Sequence, residues 1–247
     1  MDDIGEFPSK ILDNSSKGED SSSNFSNISN KDESEQILIY PDNYQKYDLS
    51  FKIVLLGNSG VGKTCITKRA IKSEFKELQN LTVGMEFYTI FVKVENKLIR
   101  LQLWDTCGEE KYRALVSNFY RNSSLAILVY AIDDSKSFRD LDSWVKELRQ
   151  NNSPSIKLFL VGNKIDLLEN KEVTKEMFDS FCDLYHINDY IETSAKTGEN
   201  ICKMFVNIAK KLYEDYCLFE QSSEQSSVKT NSVLDRANIK VKKRCCS

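Results

Sequence analysis

One octapeptide constrains the fold more than any other feature. Gly57-Asn58-Ser59-Gly60-Val61-Gly62-Lys63-Thr64 follows the apolar run FKIVLL and precedes a stretch with helical spacing over Lys63–Lys72. The pattern G-x-x-x-x-G-K-[ST], set between a strand and a helix, is a phosphate-binding loop. Glycines at 57, 60 and 62 let the backbone wrap closely around phosphates, so that amide N–H groups and the helix N-terminus point at negative charge. Lys63 is then placed to reach the β and γ phosphates, and the Thr64 hydroxyl to coordinate Mg²⁺.

The sequence around this loop alternates. Besides FKIVLL, strand-like runs fall at Glu86–Val94, Leu98–Trp104, Leu125–Ala131, Lys157–Val161 and Tyr190–Glu192, and helical patterns at Ser137–Arg149, Lys175–Tyr185 and Asn200–Tyr216. Strands alternating with helices predict an α/β domain, a six-stranded, mostly parallel sheet with helices on both faces. The short link around Glu95–Lys97 predicts a hairpin, hence one antiparallel edge strand.

Composition limits what surrounds the domain. The chain has 247 residues and a net charge of −3, room for one domain of roughly 100–200 residues plus extensions. Residues 1–35 hold thirteen Ser or Asn, nine acidic and three basic side chains, too little apolar surface to offset chain entropy. The expected division is an acidic, disordered extension over 1–47, the domain over 48–219, and a flexible basic tail over 220–247. Only IleLeuIleTyr at 37–40 is apolar enough to dock on the domain. No apolar stretch approaches the roughly 20 residues that span a bilayer, and the acidic Met1–Glu6 does not resemble a signal peptide. A pI near 5.5 argues against nucleic acid as a partner. Seven cysteines, scattered apart from the terminal pair Cys245 and Cys246 and without a CxxC pair, read as reduced cytosolic thiols. The single histidine, His186, reads as a satisfied or surface helix-end residue, which leaves no histidine triad or zinc site.

Two further constellations carry chemistry. Asp105-Thr106-Cys107-Gly108 follows the strand LeuGlnLeuTrp, where strand ends of an α/β sheet meet ligands. Asp105 is expected to hold the metal through water, and Gly108 to offer its N–H to a γ-phosphate. Asn163-Lys164-Ile165-Asp166 and Ser194-Ala195-Lys196 follow later strands and together read a guanine. Asp166 can accept from the N1–H and the exocyclic amine of guanine, which adenine lacks, so the wrong base leaves a buried carboxylate unpaired. Asn163 is expected to fix the base and hold the loops, the Lys164 stem to cover the ring, and the Ala195 N–H to meet the base oxygen O6.

In this order the motifs resemble the Ras superfamily of small GTPases over about residues 50–217, and details resemble its Rab branch: ThrValGlyMetGluPhe at 82–87, LeuGlnLeuTrpAspThr at 101–106, PheTyrArgAsn at 119–122 and LeuValTyrAlaIle at 128–132. The resemblance implies a small G domain of the P-loop NTPase class that binds GTP or GDP with Mg²⁺. It makes Thr82 the switch I threonine that closes over the metal and the γ-phosphate, beside Thr64 and Asp105. It places Phe75 against the guanine and makes Gln79, Asn80, Leu81, Thr82, Val83, Gly84, Met85, Glu86 and Phe87 the effector-facing region. Gln79 stands where the family often has an aromatic, which implies looser closure, and Cys107 replaces the usual alanine. Ser59 is ordinary for the Rab branch.

The larger departure is Glu109, where the family usually places the glutamine that orients the attacking water. A carboxylate accepts from water but donates no amide hydrogen bond, and its charge lies near the γ-phosphate. Two readings stand side by side: slow intrinsic hydrolysis, or a Glu109 that points to solvent while a partner supplies what is missing. No arginine finger is legible, and Arg69 and Arg113 qualify by residue type alone. Cys245 and Cys246 resemble the paired cysteines that Rab proteins geranylgeranylate, with Lys240, Lys242, Lys243 and Arg244 adding attraction to anionic lipid.

The expected function is thus a Rab-like switch in vesicle trafficking, with Lys63, Thr82, Gly108 and Glu109 around the reacting phosphate. It would work on the cytoplasmic face of a membrane with a cytosolic pool. Expected partners are effectors at the two switches, an exchange factor, a GTPase-activating protein, the prenylation machinery and a GDP-dissociation inhibitor. The alternatives are a GTP-locked adaptor with little turnover and, disfavoured by Asp166 and the Ser-Ala-Lys loop, an ATP-consuming P-loop enzyme.

Overall fold

The computed structural model describes residues 10–11, 37–40, 44–77, 82, 84–108 and 117–231. Its strands are β1 (Lys10–Ile11), β2 (Ile37–Ile39), β3 (Leu49–Leu56), β4 (Met85–Val94), β5 (Lys97–Thr106), β6 (Leu125–Ala131), β7 (Lys157–Asn163) and β8 (Tyr190–Thr193). Its α-helices are α1 (Lys63–Lys72), α2 (Ser135–Arg139), α3 (Leu141–Asn151), α4 (Lys175–Tyr185) and α5 (Ile201–Asn231). The strands form one eight-stranded sheet in the order β1-β2-β4-β5-β3-β6-β7-β8.

From β5 to β8 every pairing is parallel. A parallel strand covered on both faces reads as a continuous apolar run, and LAILVYA of β6 is buried at all seven positions. The β4–β5 pair is the predicted antiparallel hairpin, in unbroken register from Met85↔Thr106 to Val94↔Lys97.

The six strands expected from the sequence are present, and two more extend the sheet. β2 pairs antiparallel with β4 through Ile37↔Val92 and Leu38↔Phe91, and β1 pairs with β2. The hairpin leaves an unpaired β4 edge, and unpaired edges favour strand addition. The run at 37–40 supplies the strand, with Ile37 buried and Tyr40 and Tyr44 stacked at 4.0 Å, each edge-on to Phe91.

Helix ends follow side-chain chemistry. Asp134 caps α2 by accepting from Ser137 N at 3.0 Å, and Thr174 caps α4 by accepting from Met177 N at 3.3 Å. His186 ends α4 in the left-handed region (φ 57), the helix-end position expected for it. The single helix predicted over Ser137–Arg149 is two helices, because the chain restarts at Asp140, whose carbonyl accepts from Ser143 N. The last helix outruns its predicted end at Tyr216 and continues to Asn231, since residues 217–231 contain no Gly or Pro to stop it. Among the described residues no helix is long and apolar enough to cross a membrane.

Candidate functional site

The loop between β3 and α1 carries the conformations its glycines predict. Gly57, Gly60 and Gly62 have φ of 141, 78 and 100. A Cβ on Gly57 would lie 2.1 Å from the Val129 carbonyl oxygen, and one on Gly62 2.2 Å from Asn163 Nδ2. α1 begins at Lys63 with no side-chain cap and no acidic residue in its first turn. Its free N–H groups and positive dipole end are therefore left to an anion. The cavity there, about 190 Å³, is lined by Gly60, Gly62, Lys63, Thr64, Thr82 and Gly108 among others.

Lys63 is buried, and its Nζ donates to the Gly57 carbonyl at 2.7 Å and the Asn58 carbonyl at 2.8 Å. Burial lowers its pKa to about 8, against the opposing pull of Asp105 and Cys107. Three oxygens from three segments converge beside it. Thr64 Oγ1 donates to Asp105 Oδ2 at 2.6 Å and lies 2.8 Å from Thr82 Oγ1. Asp105 is fully buried, its Oδ1 has no hydrogen-bond partner, and burial raises its pKa to about 6. An orphaned buried carboxylate oxygen is costly unless a cation or donor meets it. One carboxylate and two hydroxyls suit Mg²⁺, which keeps several waters and phosphate oxygens in its shell, so the residues present fit the metal. Among the described residues there is no group of three or more His, Cys, Asp or Glu able to hold a metal.

Gly108 closes on the same loop. Its carbonyl accepts from Ser59 N at 3.1 Å, and a Cβ there would lie 2.4 Å from Ser59 N. Thr106 and Cys107 are buried beneath it, Thr106 Oγ1 donating to the Leu55 carbonyl at 2.6 Å and Cys107 N to the Gly84 carbonyl at 2.9 Å. Both brace the loop through these bonds and also line the cavity at the start of α1. Ser59 and Gly60 are exposed and Val61 is buried.

The two base-reading segments and the phosphate loop meet through one amide. Asn163 Nδ2 donates to the Val61 carbonyl at 2.8 Å, while its Oδ1 accepts from Ala195 N at 3.1 Å and Thr193 Oγ1 at 3.3 Å. The Ala195 N–H, read from the sequence as a donor to O6, is thus engaged by Asn163. Ser194 Oγ donates to Asp166 Oδ1 at 2.5 Å and accepts from Thr197 N at 3.1 Å, which orients the carboxylate. Lys164 takes the left-handed region (φ 72) with its Nζ 3.5 Å from Asp133, and Lys196 Nζ lies 3.9 Å from Glu77.

Two residues of this region tie its segments together, Arg69 from outside any motif and Asn58 from a variable position of the phosphate loop. Arg69 is bonded rather than solvated: Nε donates to the Ala195 carbonyl at 2.8 Å, Nη1 to Ser73 at 2.8 Å and Nη2 to Lys196 at 2.5 Å, with the guanidinium 5.9 Å from the Phe75 ring. Asn58 joins the phosphate loop to α3, donating to Asp140 Oδ2 at 2.7 Å and accepting from Trp144 Nε1 at 2.9 Å. A polar residue inside the loop motif was the one available sign for Asn58. At the start of β4, Met85 and Glu86 are half-buried and Phe87 is 46% exposed, edge-on to Trp104, which in turn meets Phe119. Gln79, Asn80, Leu81, Val83, Glu109, Arg113, Cys245 and Cys246 lie outside the described residues.

The sequence has relatives among known proteins. The model described as "Ras family" matches residues 52–214. Human Ras-related protein Rab-30 is 39% identical over 171 residues, 69% of this chain and 84% of that protein. Ras-related protein YPTC6 of Chlamydomonas reinhardtii is 38% identical over 209 residues, 81% of this chain and 96% of that protein.

Proposed function

Because the chain belongs to the Rab branch of the Ras superfamily of small GTPases, we propose that it is a GTP-operated switch in vesicle trafficking whose GTP-bound state is long-lived. The observation that carries the nucleotide reading is the meeting of Thr64, Thr82 and Asp105 oxygens around an orphaned buried carboxylate oxygen, beside the buried Lys63. Asp166, oriented by Ser194, supports guanine as the base.

In this reading the α1 N-terminus and Lys63 hold the phosphates and take up charge that develops on the leaving diphosphate. Thr64, Thr82 and Asp105 would hold Mg²⁺, which when bound would offset the negative charge of the phosphates. A water oxygen attacks the γ-phosphorus in line, the bond to the β-bridging oxygen breaks, and GDP and inorganic phosphate leave. Thr82 and Gly108 sense the γ-phosphate, so the Gln79–Phe87 segment and the exposed Phe87 form the surface that effectors read in the GTP state. Glu109 cannot donate the amide hydrogen bond of a glutamine, which supports slow turnover. It also favours a second reading, a GTP-locked adaptor. Cys245 and Cys246 are the proposed prenyl sites, placing the switch on the cytoplasmic face of a membrane.

Single-turnover hydrolysis of bound GTP, wild type against Glu109→Gln, tests the slow step. A slow wild type accelerated at least roughly tenfold by the glutamine fits a missing water-orienting donor. Equal ordinary rates in both would show that Glu109 does not limit turnover. Competition of GTP with ATP for the empty chain tests the base reading separately, and equal affinities would exclude it.

A further inference from the structure

A second concavity, about 580 Å³, opens between β8 and the first turns of α4. Its floor follows from strand register: Tyr130 of β6 pairs with Gly162 of β7, and Gly162 with Glu192 of β8. Residues in one cross-strand row share a face of the sheet, so the glycine leaves a gap between the phenol and the carboxylate. Tyr130 leans over that gap, since a Cβ on Gly162 would lie 2.7 Å from its hydroxyl oxygen. Gly162 and Asn163 point to opposite faces, which separates this concavity from the base-reading segments.

Tyr130 is 1% exposed and its ring packs edge-on against Phe138 at 4.8 Å. Tyr130 lines the concavity, and its hydroxyl makes no hydrogen bond to another described residue. Buried phenols ordinarily have a partner. Glu192, the carboxylate that acts on it, is engaged by Lys171 at 2.6 Å. Burial, and then Glu192, raise the phenol's pKa, so it remains a proton donor.

The walls say what it would donate to. Phe178 and Tyr190 form one aromatic wall, edge to face at 4.9 Å, and Tyr190 is 57% exposed. The charges on the rim cancel, Lys171 and Lys175 against Asp179 and Glu192. A volume of this order suits a small molecule enclosed by apolar walls with a few placed polar groups.

We propose that this concavity binds a small neutral ligand with a flat aromatic body and a carbonyl at its leading end, the carbonyl accepting from Tyr130 and the ring lying along Phe178 and Tyr190. The test uses the full ¹⁵N-labelled chain loaded with GDP and Mg²⁺, titrated with benzamide and, as charged analogues, benzoate and benzylamine. Benzamide is expected to give saturating shifts at the Gly162, Ile191 and Glu192 amides, and both charged analogues to bind more weakly. Tyr130→Phe should weaken benzamide about two- to tenfold, the effect of one neutral hydrogen bond. That variant should keep the wild-type melting temperature, since it removes an oxygen that makes no hydrogen bond to another described residue, so weaker binding would not come from unfolding. Shifts that do not saturate, equal binding of the charged analogues, or unchanged affinity in Tyr130→Phe would each overturn the proposal.

Discussion

Arg69 shows how a residue without a motif can hold a site together. Its guanidinium joins the end of α1, through the Ser73 carbonyl, to the Ala195 and Lys196 carbonyls of the base-reading loop, and lies over Phe75. Hydrogen bonds to charged groups contribute about 1.5–3 kcal/mol each, and 1.4 kcal/mol is a factor of ten. Losing the share that stabilises the bound base should therefore speed release. Arg69→Ala is expected to release a fluorescent GDP analogue roughly ten- to a hundredfold faster, with the single-turnover hydrolysis rate within about twofold of wild type. Arg69→Lys should fall between, because an ammonium has no planar fork with which to meet three carbonyls. Unchanged release in Arg69→Ala would remove Arg69 from the site. This role was illegible in the sequence because its partners lie 126 and 127 positions away. The phosphate loop was legible for the opposite reason: eight contiguous residues supply both the backbone conformation and the lysine. The Asn163 network falls between, since NKID and the Ser-Ala-Lys run mark the participants but not that the Ala195 N–H is engaged by Asn163.

At the level of elements, periodicity exposed the six strands of the domain because each buries a patterned face. It exposed less of β2, a short apolar run in polar surroundings whose partner is the distant β4 edge. Nor did it show the break at Asp140, since α2 and α3 share one apolar spacing and the restart depends on local hydrogen bonds. β2 now covers a stretch of β4 that would otherwise be open to pairing with other chains. Ile37, 5% exposed, anchors it, and the Tyr40–Tyr44 stack against Phe91 closes over the same strand. Ile37→Ala should lower unfolding free energy by about 2 kcal/mol, the lower end for a buried isoleucine because an edge strand can relax. Urea unfolding of the GDP- and Mg²⁺-loaded chain measures this. A loss below about 0.5 kcal/mol, ordinary for surface substitutions, would mean that β2 contributes little to the folded domain.

Across the whole sheet, the ends of β3, β5, β7 and β8 deliver the phosphate loop, Asp105, Asn163 and Ser194 to one edge, as ligand sites in open α/β sheets generally form. Concentrating them there has a cost. Lys63 is buried with only backbone carbonyls for acceptors, Asp105 keeps an unpartnered buried oxygen, and α1 starts without a cap. A diphosphate and a divalent cation satisfy all three at once, so much of the molecule's stability should reside in ligand linkage. A ligand at a thousand times its dissociation constant stabilises by about 4.1 kcal/mol, and each kcal/mol raises the melting temperature of a domain this size by about 2–4 °C. GDP with Mg²⁺ at that excess should thus raise the melting temperature by roughly 8–16 °C over chain stripped of both. ADP with Mg²⁺ at the same concentration should leave it nearly unchanged, because adenine has neither the N1–H nor the 2-amine from which Asp166 would accept. Asp166→Ala should bring the GDP shift down towards the ADP value while leaving the stripped chain's melting temperature close to wild type, since among the described residues that carboxylate is hydrogen-bonded by Ser194 alone. An equal shift from ADP in the wild-type chain would mean that the phosphates alone provide the linkage and that the Asn163, Asp166 and Ser194 network does not select the base.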